Sequence, residues 1–264
     1  MLLNDLFYGI DISQDNANID FTKLAESKCS FVIIRAGEGP DIKDEKFEEF
    51  YTKATEANLL VGCYWNCRAK SLEETKKEIE AFKEVIKDKN FKCPCYYVID
   101  DIKTSLRENM AKSTLTYMIN EWCSEIKKLG FIAGFRTSYE YLNRFNLTEI
   151  DTDCEKCLNK IGNTMGVCSI KEWHMWLCAI CGKSSESTRS VVLPGCDELD
   201  PISMCISVRD YGESEFKALF KQALDHTKIK ESVKISKKKY CSKNYNIMSR
   251  QTNHPPNLNS ECLN

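Results

Sequence analysis

Hydrophobic and polar positions follow two alternating periods along residues 1–227. Short, nearly apolar runs rich in Val, Ile and aromatic residues occur at Tyr8–Ile12, Phe31–Ala36, Leu59–Trp65, Cys95–Asp100, Phe131–Thr137 and Met175–Ile180. Runs of this kind predict parallel strands covered on both faces. The stretches between them have helical spacing. Ile42–Asn58 places Phe47, Phe50, Tyr51 and Ala54 on one side. Ser71-Leu72-Glu73-Glu74 has the spacing of a capping box, and Leu72, Ile79, Phe82 and Ile86 then mark an apolar face. Leu115, Met118, Trp122, Ile126 and Leu129 mark another, which stops at Gly130. Strand and helix alternating in this way predict a parallel sheet with right-handed crossovers. Over 146–210 the pattern loosens to two or three short strands and loops, with a late helix expected around Glu213–Leu224. No Gly-rich phosphate loop follows the first run, so an incomplete β/α barrel is expected rather than an open doubly wound sheet.

Composition narrows the class. The chain has 264 residues, 42% hydrophobic and 29% charged, enough for a single barrel with a sizeable core. That excludes a disordered chain, a collagen-like fibre and a polybasic nucleic-acid binder. No apolar run approaches the ~18 residues of a membrane span. The opening MLLNDLFYGIDIS leaves no room for a secretory leader, so a cytoplasmic chain is expected from the residues alone. The net charge of -2 hides an asymmetry, because eight Lys or Arg stand against two Glu from Lys228 onward. Two segments are therefore expected, a barrel over 1–227 and a disordered basic tail over 228–264, the tail either solubilising or docking on an acidic surface. A monomer that binds no nucleic acid is expected. Fifteen cysteines without a leader read as reduced thiols, several of them core hydrophobes.

In a β/α barrel, chemistry gathers at the carboxyl ends of the strands. Those ends read Gly9-Ile10-Asp11-Ile12-Ser13, Arg35-Ala36-Gly37-Glu38, Tyr64-Trp65-Asn66 and Tyr96-Tyr97-Val98-Ile99-Asp100-Asp101, with Pro194-Gly195-Cys196-Asp197-Glu198-Leu199-Asp200 near the last strand. Carboxylates flanked by Tyr and Trp suggest a sugar cleft, where aromatic rings cover sugar faces and carboxylates handle hydroxyls or the glycosidic proton.

These segments resemble glycoside hydrolase family 25, the lysozymes of Chalaropsis type. Gly9–Ser13 matches the opening Gly-(Val/Ile)-Asp-Val-Ser strand of that family, and Ile19-Asp20-Phe21 its Ile-Asp-Trp. Phe31–Gly37 and Val61–Trp65 resemble its second and third strands, Gly130–Gly134 and Trp176-Leu177 its fifth and sixth, and Leu193-Pro194-Gly195 with Leu199-Asp200 its closing segment. The resemblance implies an irregular (β/α)5(β)3 barrel of the TIM type. It also implies cleavage of the β-1,4 bond between N-acetylmuramic acid and N-acetylglucosamine in peptidoglycan, without a cofactor and outside the cell. Asp100, Asp11 and Asp200 are the expected catalytic carboxylates; Tyr64, Trp65, Tyr96 and Arg35 are the expected glycan contacts, although Arg35 reads first as a core ion-pair partner for one of these carboxylates and only second as a ligand contact. The Asp-x-Glu of the family's fourth strand falls on Val98-Ile99-Asp100, and a Tyr expected in strand five is Arg136. A binding barrel without turnover is the alternative.

One further pattern lies outside the family. Cys154-x2-Cys157 and Cys178-x2-Cys181 have a spacing at the edge of that used by zinc ribbons, so structural zinc at these four residues is a further expectation. Strand alternation across Met175–Ile180 argues against it.

Overall fold

The computed structural model describes residues 8–16, 19–27, 29–100, 107–161, 172–181, 191–192, 195–196, 202–207 and 228–229. The first apolar run forms β1 (Tyr8–Ile12), buried throughout. Asp20 caps α1 (Phe21–Glu26) by accepting from the Lys23 amide, and β2 (Phe31–Glu38) follows. The helix expected over Ile42–Asn58 is shorter than its apolar spacing suggested. Ile42–Lys43 form a small strand, β3, paired back onto β2, and α2 runs only over Phe47–Glu56. Next come β4 (Leu60–Asn66) and α3 (Leu72–Ile86). The Ser71 side chain accepts from the Glu74 amide, while the Glu74 carboxylate reaches back one residue further than in a standard box, to the Lys70 amide. β5 (Cys95–Val98), α4 (Lys112–Lys128) and β6 (Ala133–Ser138) complete the regular part, and two short 3₁₀ turns follow β6.

β7 (Glu155–Asn159) was not legible as a strand, because its residues are half charged or polar. β8 (Met175–Cys181), β9 (Val191–Val192), β10 (Ile202–Ser207) and β11 (Lys228–Ile229) follow. Hydrogen bonding runs β1-β10-β8-β7-β6-β5-β4-β2, and β1 also pairs with β2, so the sheet closes into a barrel. All neighbours around it are parallel except β10, which is antiparallel to both β8 and β1. Lys228 and Ile229, the start of the expected tail, pair with β9; the rest of that tail, the late helix and Asp200 lie outside the described residues.

Side-chain alternation divides the barrel into two cores. Outward-facing residues such as Ile10, Ile34, Trp65, Tyr97 and Phe135 pack under the helices, with Tyr97 stacked on Trp122 of α4 at 4.7 Å between ring centroids. Each such side chain contributes about 1.5–3 kcal/mol by leaving water. A separate inner cluster (Phe31, Ile33, Tyr64, Tyr96, Val98, Cys157, Met175, Leu177 and Cys205 among it) fills the lumen. Tyr96 fits there because Gly134 faces it from β6; a Cβ on Gly134 would stand 2.6 Å from the Tyr96 ring.

The same alternation removes the zinc expectation. Cys157 faces the lumen and Cys178 faces the helices, on adjacent strands. Cys154 is joined to Cys123 of α4 as a disulfide, which also corrects the expectation of reduced thiols throughout. Among the described residues no group of three His, Cys, Asp or Glu is placed to hold a metal ion.

Candidate active site

Three ionisable side chains meet inside the barrel at the carboxyl ends of the parallel strands. Asp11 comes from β1 and Asp100 from two residues beyond β5; Arg136 comes from β6, four strands from β1 in either direction around the barrel. The Arg136 guanidinium therefore crosses the lumen to reach Asp11, donating from Nη1 to Oδ2 at 2.5 Å. Its Nε lies 3.4 Å from Asp100 Oδ2, an ion-pair distance rather than a hydrogen bond. Asn159 of β7 turns its Nδ2 toward both Asp100 Oδ2 and Ser138 Oγ, at 3.4 Å each. The Arg136 guanidinium lies over the ring of Tyr64 of β4, with the Arg136 Cζ 4.5 Å from the ring centroid. Among the described residues, Asp100 Oδ1 and Arg136 Nε are buried without a hydrogen-bond partner.

Burial dominates the electrostatics. It pushes the Asp11 carboxyl above the ordinary aspartate range, against the pull of Arg136, with Asp100 pushing the same way as burial. Burial likewise raises Asp100, opposed by Arg136 and by hydrogen bonding from Asn159 and Ser138. For Arg136, burial disfavours the cation, yet Asp11 and Asp100 together hold it well above its usual range. The result is a cation shared by two carboxylates that are both easier to protonate than free aspartate. Tyr64 is also raised, first by burial and then by Asp11, so its phenol stays neutral.

Arg35 is not part of this trio. Its Nε donates to Asp44 Oδ2 at 2.7 Å and its Nη1 stands 3.2 Å from Asp15 Oδ2, on the rim above β2. Asp44 is fully buried and also accepts from the Gln14 and Lys46 amides, so it pins the loop after β1 against the start of α2. Arg35 is thus an ion-pair residue, with partners different from the carboxylates expected. Trp65 and Tyr96 are corrected as glycan contacts. Trp65 follows Tyr64 on the same strand and so points the opposite way, packing edge-on against Phe82 and donating to the Gly39 carbonyl. Tyr96 faces the lumen, but two residues deeper than Val98, with its hydroxyl on Met175 Sδ and only 1% of its surface exposed.

Sequence reasoning missed Asn159, Ser138 and Asp44, and Arg136 stood out only as a departure from the family pattern. The signal for Arg136 was present, since a lone Arg inside the apolar strand Ala133–Ser138 requires buried carboxylate partners. Asn159 was hidden with its strand.

The sequence profile described as Glycosyl hydrolases family 25 matches residues 10–176. The chain is 29% identical over 119 residues to the autolytic lysozyme of Clostridium acetobutylicum, a match covering 43% of this chain and 35% of that protein. It is 36% identical over 56 residues to lysozyme M1 of Streptomyces globisporus, covering 21% of this chain and 19% of that one. The matches therefore span well under half of these curated relatives. Among solved structures, the fold resembles the bacterial lysozyme from Streptomyces coelicolor (TM-score 0.61, 16% identity, 81% of this chain and 96% of that one). It also resembles the modular autolysin LytC from Streptococcus pneumoniae, solved in complex with a synthetic peptidoglycan ligand (TM-score 0.62, 18% identity, 76% of this chain and 46% of that one).

Proposed function

Since this chain belongs to glycosyl hydrolase family 25, we propose that its cleft binds the β-1,4-linked amino-sugar chain of peptidoglycan and that any hydrolysis runs slowly through Asp100. The observation that carries this reading is the buried Asp11–Arg136–Asp100 trio at the mouth of the barrel. It leaves one acceptor, Asp100 Oδ1, and one donor, Arg136 Nε, unsatisfied among the described residues. The Asp100 side chain as a whole is 21% exposed, so a sugar hydroxyl at the mouth can reach its carboxylate, with Tyr64 beside it under the Arg136 guanidinium.

The chemistry of turnover is less well served. Glycoside cleavage needs a carboxylic acid to protonate the leaving oxygen and negative charge to stabilise the oxocarbenium-like state. Asp100, with its raised pKa, is suited to hold a proton. It is one methylene shorter than the family's Glu, a difference of roughly 1.5 Å, and a misplacement of about 1 Å costs about 10²-fold in rate. Val98 stands where the partner carboxylate belongs, and loss of one such electrostatic contact costs about 10²–10³-fold. Arg136 adds a fixed positive charge beside the place where positive charge develops. A rate about 10⁴-fold or more below an Asp-x-Glu site is expected. Asp200, the third expected carboxylate, is retained in this proposal as a source of negative charge.

A second reading, glycan binding with no turnover, is favoured by Val98 and Arg136. Release of soluble fragments from purified peptidoglycan, measured with co-sedimentation, separates the two. Slow release that vanishes in Asp100→Asn, with sedimentation retained, supports the slow enzyme. Sedimentation without release from either protein supports the binder, and absence of both refutes the cleft. In the Val98→Asp, Asp100→Glu double variant, release should rise at least tenfold if the remaining cleft is competent.

A further inference from the structure

A buried polar cluster distinct from the trio lies on the outer side of β5, under α3. Glu78 of α3 and Arg107 are each only 1% exposed, and Tyr97 and Cys67 are buried with them. The Tyr97 hydroxyl donates to Glu78 Oε2 at 2.6 Å, and the Arg68 amide donates to Glu78 Oε1 at 2.8 Å, so the two carboxylate oxygens hold different segments of chain. Arg107 Nη1 donates to the Ala69 carbonyl at 3.3 Å and to Cys67 Sγ at 3.5 Å. The Arg107 backbone is fixed as well, its carbonyl accepting from the Met110 amide at 3.0 Å and from Arg144 Nη2 at 3.4 Å. Burial raises the Glu78 carboxyl above the ordinary glutamate range, while the bonds from Tyr97 and Arg68 and the charge of Arg107 pull it back.

The cluster brackets Asp100. Tyr97 stands three residues before it and Arg107 seven residues after it. Segment 67–69 is gripped at the Arg68 amide by Glu78 and at the Ala69 carbonyl by Arg107, and in turn its Cys67 amide donates to the Val98 carbonyl at 2.9 Å. On the opposite flank, β6 holds the chain itself: the Ile99 amide donates to the Arg136 carbonyl at 2.9 Å, and Thr137 Oγ1 donates to the Ile99 carbonyl at 2.9 Å. The flank toward β4 therefore depends on the two buried charges. Around them the packing is apolar, with Phe82 against Trp122 and Trp122 against Tyr97. An apolar filling generally matches buried charges in stability. It lacks the directional bonds that fix several chain segments against one another.

We propose that Glu78 and Arg107 are positioning residues for Asp100, holding the end of β5 and segment 67–69 in the arrangement that keeps the Asp100 carboxyl within the trio. This rests on the reading of Asp100 as the acid of the cleft. Once the clamp is lost the strand end can shift. Tyr96, Val98 and Cys157 fill the lumen beneath Asp100, so the direction open to the carboxyl is toward the mouth and water.

The test is the titration of Asp100 in the full chain without glycan, followed by carbon NMR of side-chain-labelled aspartate and assigned by the signal lost in Asp100→Asn. Asp11, which is bonded to Arg136 from the far side of the barrel, serves as internal reference and is assigned in the same way. In Glu78→Gln the side chain keeps its size but turns an amide donor toward one of the two donors it faces. The Asp100 midpoint should fall by about half a pH unit or more toward the ordinary aspartate value of about 3.9, since burial is the largest cause of its elevation, while Asp11 moves clearly less. Arg107→Met should act in the same direction, and Arg107→Lys, which keeps a donor for the Ala69 carbonyl, should recover part of the native midpoint. Tyr97→Phe keeps the stacking on Trp122 and removes only the bond to Glu78, so it repeats the test in a chain whose core is intact. An unchanged Asp100 midpoint in Glu78→Gln or, if that variant does not fold, in Tyr97→Phe would make the cluster a stabilising one only and overturn the proposal. Equal shifts at Asp11 and Asp100 would mean general loosening and overturn it too. Co-sedimentation of the native chain with peptidoglycan tests the cleft reading separately: its failure would sink that reading, and the titration would still decide the clamp.

Discussion

Replacing Arg136 with Met tests whether the buried trio acts through charge. The side chains of Arg136 and Asp11 are each only 9% exposed and Asp100 21%, so the site is poorly screened by solvent. At an effective dielectric near 20 and charge-centre separations of about 4 Å, each carboxylate gains about 4 kcal/mol from the guanidinium. Desolvation of the three ions offsets most of that, so the trio adds little net stability over an apolar filling. Removing only the cation is different. It leaves two carboxylates facing one another in the lumen, and a loss of about 3–5 kcal/mol is expected at pH 7. Both carboxylates already titrate above their ordinary range in the native fold, so their contribution to stability is full below the unfolded-state pKa near 4 and is lost as pH rises through the folded values. Without Arg136 those folded values climb further, and the loss extends over a wider window. Below about pH 4 the order reverses, because both carboxylates are neutral and it is the native chain that then buries an unpaired guanidinium. Urea unfolding of both proteins at pH 3.5, 5.5 and 7 measures this. The destabilisation by Met should grow with pH and vanish or change sign at the lowest value. A penalty of the same size at all three would mean that Arg136 acts through packing, and the charge reasoning would fail.

Trp65→Leu should lower the unfolding free energy by about 2–4 kcal/mol and leave sedimentation of the folded protein on peptidoglycan unchanged; a folded variant that no longer sediments would return Trp65 to the cleft. Ser71→Ala removes the cap of α3 and should destabilise by about 1 kcal/mol in the same urea assay, while an effect below a few tenths would contradict the bond to Glu74. Reduction of Cys123–Cys154, which closes a loop across a separation of 31 residues, should lower stability by about 3–4 kcal/mol; equal midpoints with and without dithiothreitol would refute it.

The legible elements were those whose burial follows a single period. The outward faces of β1, β2, β4 and β5 are apolar, and so is much of what they turn to the lumen, hence their near-continuous apolar runs. β7 alternates between Lys156 or Leu158 outward and Glu155, Cys157 and Asn159 inward, so its lumen face is the polar one and the run does not register as a strand. Asp11 and Asp100 stand out in the sequence because a carboxylate at the end of an apolar strand demands an explanation. Their partner was missed as a partner because Asp11 and Arg136 are 125 residues apart in sequence, and only closure of the barrel brings β1 and β6 face to face. The error at Trp65 came from assigning two consecutive strand residues to one surface, which alternation forbids.

The reversed direction of β10 has a consequence for how the chain is laid out around the cleft. Ser203 pairs with Asp11 and Ile206 with Tyr8, so the chain enters β10 at the end of the barrel that bears the trio and leaves it at the opposite end. A parallel strand would deliver to the cleft only the residues after it; this one delivers the residues before it. Any segment joined after Ser207 starts about 17 Å away, the rise of five residues along an antiparallel strand. Ser207 itself lies at the floor of the barrel, away from a polymer lying across the mouth.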